Sequence, residues 1–117
     1  RGAGAHARLL RWHREGKLGD LALMQALSKM SFMWADYLAN NGVEQMNRKG
    51  RIQEGADADI VVFDPATVTD NSDLPPDKNV LLSTGIPYVV VSGVVVVDDS
   101  EILEVFPGKP VRAEIVE

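Results

Sequence analysis

Apolar residues recur at helical spacing in the first third of the sequence. The i, i+4, i+7 pattern that puts apolar side chains on one helix face occurs at Ala5, Leu9 and Trp12, and again at Leu23, Leu27 and Met30. Gly16 and Gly19 separate these two predicted helices, and Asp20 is the predicted N-cap of the second. A third helix is predicted over residues 32–38, and Gly42 follows its end.

From residue 50 the period changes from helix to strand. The stretch "RIQEGADADIVVFDP" predicts a short strand at Ile52, a turn, and a buried strand over residues 58–63. Pro65 closes that strand, because proline cannot donate to a sheet ladder. After a polar, proline-bearing loop, Ser92 and Gly93 lie between two valine runs, which predicts a hairpin with a tight primed turn. Helices followed by strands indicate an α+β chain.

Composition narrows the class of protein. The chain has 117 residues, of which 45% are hydrophobic and 25% charged, so it is predicted to be soluble and globular. It has no cysteine, which excludes disulfides, thiolate metal sites and a cysteine nucleophile. No apolar run approaches the roughly 18 residues of a membrane span, and the start has no apolar segment like a secretory signal. We therefore expect a cytoplasmic protein without a membrane partner. The absence of an initiator methionine suggests a piece of a longer chain.

Charge is unevenly distributed and creates one basic helix face. Residues 1–50 hold eight Lys/Arg against four Asp/Glu, whereas residues 51–117 hold four against thirteen. Arg8, Arg11 and Arg14 could suggest nucleic-acid binding, but the net charge of −5, the pI near 5.0 and the lack of a binding motif argue against it. The alternatives are a solvated helix face or one that meets an acidic partner surface.

Four acidic residues lie close together in the second half of the chain, at Glu54, Asp57, Asp59 and Asp64. In a strand, Asp57 and Asp59 would share a face and Asp64 would point the other way. The segment lacks the ligand spacing of a calcium loop. We interpret these acids as structural: Asp57 would bond its own backbone in the turn, and Asp64 would end the strand.

The two histidines do not form a metal pair. His6 and His13 lie seven positions apart, which on a helix separates them by about 10.5 Å along the axis. One metal ion with ligand bonds near 2 Å cannot bridge that distance. No nucleophile stands beside a base, so chemistry alone predicts no catalytic set. His6 keeps some interest because it follows the glycine-rich "RGAG".

Three motifs follow one another along the chain: "RGAGAHARLL", "KGRIQEGADADIVVFDP" and "FPGKPVR". Their order resembles the carboxyl-terminal end of the amidohydrolase superfamily, in particular its D-aminoacylase (N-acyl-D-amino-acid deacylase) branch. The second motif is the most specific, because it is similar to the G-x-I-x-x-G-x-x-A-D-hydrophobic-run-D-P signature of the superfamily. "RGAGAHARLL" and "FPGKPVR" point to the branch. The chain departs from the pattern at Trp34, where proline is common, and at Ser92, where asparagine is common.

This resemblance implies a fold and a function. Residues 1–49 would be terminal helices of a metal-dependent (β/α)8 barrel domain, and residues 50–117 a segment of the small β-sandwich beside it. The parent enzyme would be a zinc-dependent hydrolase of N-acyl-D-amino acids, with its zinc ligands and catalytic aspartate upstream of Arg1. The chain alone would then bind no zinc and be inactive. Arg1 and His6 would contribute to substrate binding, because loops at that end of a barrel form the active-site mouth.

A second class of function remains open, a stand-alone, non-catalytic β-sandwich module for protein interaction. The residues upstream of Arg1 would distinguish the two classes, because only the enzyme needs histidines and an aspartate on barrel strands there. In either case, unpartnered apolar helix faces predict self-association or association with the rest of the barrel.

Overall fold

The helices precede the strands along the chain, as predicted. The computed structural model describes residues 4–113. Its helical elements are α1 (Ala5–Arg14), α2 (Leu23–Met30), α3 (Phe32–Ala39) and a 3-10 helix (Glu44–Arg48). Its strands are β1 (Ile60–Val62), β2 (Tyr88–Val91), β3 (Val94–Asp98) and β4 (Glu101–Ile102). The four strands form one antiparallel sheet in the order β1-β2-β3-β4.

The helix boundaries follow the sequence closely except at the start of α2. The prediction that Asp20 caps α2 was wrong, because the helix begins at Leu23 and Ala22 occupies the N-cap position. The side-chain oxygen of Gln25 accepts a hydrogen bond from the Ala22 N–H at 3.2 Å, which is one of the two bonds of a capping box. Alanine has no side-chain oxygen, so it cannot make the other. Turns over residues 15–20 carry the chain past Asp20 before the helix starts.

Two tight hairpins build the sheet from β2 onward. Ser92 and Gly93 have φ values of 50° and 80°, the left-handed pair of a type I′ turn, which confirms the predicted primed hairpin. Asp99 and Ser100 form a second turn of this kind between β3 and β4, with φ values of 45° and 72°. The sequence did not reveal the second turn, because no glycine marks it.

The segment before the hairpins is less strand-like than predicted. Ile52 lies in no strand and is 89% exposed, so the predicted strand there was wrong. The strand predicted over residues 58–63 is shortened to β1, and it is not buried, since Val61 and Val62 are 55% and 47% exposed. Apolar sequence made this segment look like an interior strand, but among residues 4–113 no second layer covers this part of the sheet.

The core joins the helices to the loop that follows β1. Ala7, Leu10 and Val68 are its buried centre. Five partly buried side chains pack around them: Leu23, Leu27, Met30, Phe63 and Ile86. The buried face of α1 is thus nearly opposite to the predicted face of Leu9 and Trp12, and Trp12 is 39% exposed. The difference arises because α1 packs its small alanine and Leu10 against Val68, a contact far apart in sequence.

The chain exposes more surface than a compact domain of its mass. Its accessible surface is 8775 Å², whereas a compact monomer of this size exposes about 6,300 Å². The radius of gyration is 15.7 Å, against an expectation of about 13 Å. Large apolar side chains contribute to this surface, among them Met33, Trp34, Tyr37, Leu74 and Phe106. No helix in residues 4–113 has the length and apolar character needed to cross a membrane.

Candidate functional site

Three arginines of α1 bind the loop between β1 and β2, and two of them pair with the buried Asp70 of that loop. Arg8 donates from Nε to Asp70 Oδ2 at 2.6 Å, and Arg11 donates from Nε to Asp70 Oδ1 at 2.7 Å. The Asp70 side chain is 2% exposed, whereas those of Arg8 and Arg11 are 37% and 27% exposed. Both carboxylate oxygens therefore bind a guanidinium group. We call Arg8, Arg11, Arg14 and Asp70 the arginine–aspartate cluster.

The cluster also binds the backbone on both sides of Asp70. Arg8 donates from Nη2 to the Ser72 carbonyl at 3.0 Å. Arg14 donates from Nη1 to the Val68 carbonyl at 2.7 Å and from Nη2 to the Thr69 hydroxyl at 3.2 Å. The three arginines lie three positions apart, on one stripe of α1. The basic face thus meets an acidic surface, and that surface belongs to this chain.

The Asp70 carboxylate is stabilised in its charged form. Burial of the Asp70 carboxyl opposes its ionisation, but the hydrogen bonds from Arg11 and Arg8 outweigh burial and hold its pKa below the ordinary value. The hydrogen bond to Asp70 raises the pKa of Arg11 in turn. Asp70 is consequently a paired anion and not a general base, which would need a pKa near the working pH.

The start of α1 lies directly against the same loop. Gly4 occupies the N-cap position of α1 with φ 72°, in the left-handed region that favours glycine. A Cβ atom at Gly4 would lie 2.8 Å from Ser72 Oγ and 2.9 Å from Asp70 Cβ. The Arg8 N–H donates to the Gly4 carbonyl at 2.8 Å, which closes the first turn. Any shift of the Asp70 loop therefore moves the beginning of the helix.

A second charged cluster contains part of the acidic stretch. Lys49 Nζ lies 2.5 Å from Asp59 Oδ2 and 3.1 Å from Asp57 Oδ2, and Arg48 lies 2.8 Å from Asp57 Oδ1. Lys49 thus binds both carboxylates, although Asp57 and Asp59 lie before β1 and not in a strand. The predicted bond from the Asp57 side chain to its own backbone was wrong, because two cations compete for that carboxylate. Asp59 Oδ1 instead accepts the N–H of Ser92 at 2.8 Å and so binds the hairpin turn.

Asp64 closes β1, as predicted. Its Oδ1 accepts the Ala66 N–H at 2.8 Å, and its Oδ2 accepts the Thr67 hydroxyl at 2.9 Å. These two hydrogen bonds lower the pKa of the Asp64 carboxyl. The contacts of Asp57, Asp59 and Asp64 are those of structural groups in turns and ion pairs.

Of the two residues predicted to bind substrate, the structure describes His6. Arg1 lies outside the described residues. His6 is exposed in the first turn of α1, and His13 is partly exposed near the end of that helix. Within residues 4–113, no three His, Cys, Asp or Glu side chains lie close enough together to hold a metal ion. The described part of the chain therefore offers no zinc ligand set.

One groove lies against the sheet. Its volume is about 390 Å³. Its lining is mainly apolar and includes Val89, Val97 and Ile102, which occupy paired positions on three neighbouring strands. Ser83, Thr84 and Ser100 supply its polar groups. The groove holds no titratable side chain and has no features of a reaction centre.

Sequence reasoning missed Asp70. The three arginines left open a solvated helix face or contact with an acidic surface, and thirteen acidic residues were available in residues 51–117. The aspartate lies in a polar loop 59 residues after Arg11, where nothing in the local pattern predicts burial. Only the packing of Val68 under α1 places Asp70 beside the arginines.

No protein-family model matches the chain, and neither does any curated protein sequence. Solved structures of D-aminoacylase do match it. One, concerned with the role of the binuclear metal centre of D-aminoacylase, is 31% identical and superposes with a TM-score of 0.68 over 85% of this chain. A second, which defined D-aminoacylase as a novel subset of amidohydrolases, is 33% identical with a TM-score of 0.65 over the same share. A third structure, of a D-aminoacylase mutant in complex with copper chloride, is 31% identical in sequence and superposes with a TM-score of 0.68.

The matched structures are D-aminoacylases, which one of them describes as a subset of amidohydrolases, and this chain is similar to them in sequence and in fold. The recognition made from the sequence motifs is thereby confirmed. The chain spans 19% of the length of each matched structure. Activity, substrate and metal of a whole D-aminoacylase are therefore matters of proposal for this chain.

Proposed function

We propose that this chain is the carboxyl-terminal part of a zinc-dependent amidohydrolase that hydrolyses the amide bond of N-acyl-D-amino acids. The observation that carries the proposal is the match to D-aminoacylase, which combines 31–33% identity with TM-scores of 0.65–0.68 over 85% of the chain. One of those D-aminoacylases is described with a binuclear metal centre in which one metal activates and the second attenuates. This description supports a metal in the parent enzyme.

In this proposal the chain supplies structure and substrate binding, and the reaction centre lies elsewhere in the parent. Zinc would polarise the amide carbonyl and activate water. Because residues 4–113 offer no ligand set, its ligands belong to the rest of the enzyme. Residues 1–49 would be terminal helices of the barrel domain, and residues 50–117 a segment of the β-sandwich. The excess of exposed surface supports this arrangement, since the rest of such an enzyme would cover it.

Arg1 is the proposed contact to the substrate carboxylate, and His6 lines the same mouth. A guanidinium group can bind a carboxylate through two parallel hydrogen bonds, which also fixes its orientation. An N-acyl-amino acid presents a carboxylate next to the scissile amide. The position of His6, exposed in the first turn of α1, leaves it free to face a ligand.

The test is expression of the open reading frame that contains this chain, followed by hydrolysis assays with matched N-acetyl-D- and N-acetyl-L-amino acids. We expect release of the D-amino acid, loss of activity on chelation, and recovery with zinc. Arg1→Ala should reduce kcat/KM by roughly ten-fold or more, because a lost hydrogen bond to a charged group costs about 1.5–3 kcal/mol. The control Arg1→Lys keeps the charge and should recover part of that loss.

Two results would contradict the proposal. The first is an open reading frame without histidines and an aspartate upstream of Arg1, which would favour the non-catalytic interaction module. The second is a metal-loaded enzyme that is inactive on both enantiomers. Unchanged kcat/KM in both Arg1 variants would leave the activity intact and make Arg1 a structural residue. The cytoplasmic location remains a prediction that cell fractionation would test.

A further inference from the structure

We infer that Asp70 is a positioning residue, which acts through Arg8 and Arg11 to hold the start of α1 where Arg1 and His6 can bind substrate. The inference rests on the proposed function, because those two residues are its substrate-binding pair. It adds a residue from the loop between β1 and β2, far from them in sequence.

Asp70 acts on the helix and not on the substrate. Its side chain is 2% exposed, and each carboxylate oxygen already accepts a hydrogen bond from an arginine, at 2.6 and 2.7 Å. A group buried and paired in this way has no free oxygen to offer a ligand. Its influence on substrate must pass through Arg8 and Arg11.

Those two arginines lie close to the proposed binding residues. Arg8 follows His6 by two positions, and its amide N–H closes the first turn of α1 on the Gly4 carbonyl at 2.8 Å. The same arginine donates from Nε to Asp70 and from Nη2 to the Ser72 carbonyl. The loop thus holds the turn that contains His6 by two side-chain hydrogen bonds from one residue.

Close packing converts loop position into helix position. At Gly4, a hypothetical Cβ would come within 2.9 Å of both Ser72 Oγ and Asp70 Cβ. The start of α1 is therefore packed closely against the loop, with no space for an additional atom between them. Gly4 stands between Arg1 and His6 in the chain. Loss of the Asp70 charge would loosen this contact at the point where the backbone leads to Arg1.

The experiment uses the full-length enzyme and the variant Asp70→Asn, which keeps the size of the side chain and removes its charge. We expect KM to rise about ten-fold or more with kcat within about two-fold, as for loss of binding without loss of chemistry. The matched control is Asp59→Asn, which also removes an ion-paired aspartate but lies at the hairpin. Its kcat/KM should stay within about two-fold of the unmodified enzyme.

A double-mutant cycle separates positioning from general loss of structure. If Asp70 acts through Arg1, then Arg1→Ala combined with Asp70→Asn should lose little more than Arg1→Ala alone. Fully additive losses would overturn the inference, as would an unchanged KM in Asp70→Asn or an equal loss in Asp59→Asn. If Asp70→Asn does not fold, Arg11→Gln removes one of the two bonds and should shift KM in the same direction.

Failure of the proposed function would look different. In that case the unmodified enzyme would not hydrolyse N-acyl-D-amino acids, and the inferred effect of Asp70 on substrate binding would be refuted as well. Amide hydrogen exchange then tests separately whether Asp70 holds the start of α1. Asp70→Asn should speed exchange of the Arg8 amide at least ten-fold relative to Asp59→Asn, and equal exchange in the two variants would refute the hold on α1.

Discussion

Gly85 provides the sharpest test of how the loop after β1 packs. Its φ is +78°, and a Cβ atom there would lie 2.6 Å from both Cα and N of Val68. Val68 is fully buried at the centre of the core. The contact is with backbone, so no side-chain rotation can relieve it. Gly85→Ala should therefore destabilise the chain by forcing the two segments apart.

The expected loss has two parts. A left-handed conformation costs a residue with a Cβ about 1–2 kcal/mol. Overpacking of a close contact adds typically 1–3 kcal/mol. Gly85→Ala should thus lower the free energy of unfolding by about 2–5 kcal/mol, a large fraction of the 5–15 kcal/mol that holds typical domains together. Gly93→Ala is the matched control, because Gly93 has φ 80° but no atom within 4 Å of the added Cβ. Gly93→Ala should therefore lose only the cost of the left-handed conformation, about 1–2 kcal/mol.

Urea unfolding followed by circular dichroism, at one fixed protein concentration, measures both variants. With a slope of about 1–3 kcal/mol per molar urea, the two midpoints should differ by roughly 1 M. Equal losses in Gly85→Ala and Gly93→Ala would refute the reasoning, because they would show that the backbone of Val68 does not approach Gly85 in solution. A change of slope in either variant would instead report a change in the surface exposed on unfolding.

Three further predictions concern acid, association and metal. Because the pKa values of Asp59 and Asp70 are lowered in the folded state, their stabilisation is present above the ordinary aspartate pKa and is lost as pH falls through the lowered values. Unfolding midpoints should therefore decrease as the pH falls below the ordinary aspartate pKa of about 3.9. Asp70→Asn should weaken that dependence on pH, and an unchanged dependence in this variant would contradict the prediction. The 117-residue chain should self-associate at tens of micromolar, since Trp34 and Tyr37 are exposed, and light scattering showing a stable monomer would count against this. After dialysis the same chain should retain no tightly bound zinc, which elemental analysis would check, and one zinc per chain would overturn the prediction.

The sequence alone determined secondary structure where the preferences of neighbouring residues restrict the backbone strongly, as in tight turns and at helix ends. The two-residue turn at Ser92 and Gly93 follows from one glycine between β-branched runs, because glycine adopts the positive φ of a primed turn without steric cost. The third helix was predicted over residues 32–38 with Gly42 after its end, and α3 spans Phe32–Ala39. The motif around residues 49–65 indicated the amidohydrolase superfamily, and "RGAGAHARLL" and "FPGKPVR" indicated its D-aminoacylase branch. The similarity to solved D-aminoacylases confirms this recognition.

Tertiary structure decided which face of α1 is buried and which acid is paired. Spacing favoured Leu9 and Trp12, but Ala7 and Leu10 are buried, because they pack against Val68 of a loop that is distant in sequence. The same approach buries Asp70 between two arginines, although many other acids were available. Burial and pairing of this kind depend on which distant segments meet, and the periodicity of a single helix or strand carries no information about its partner.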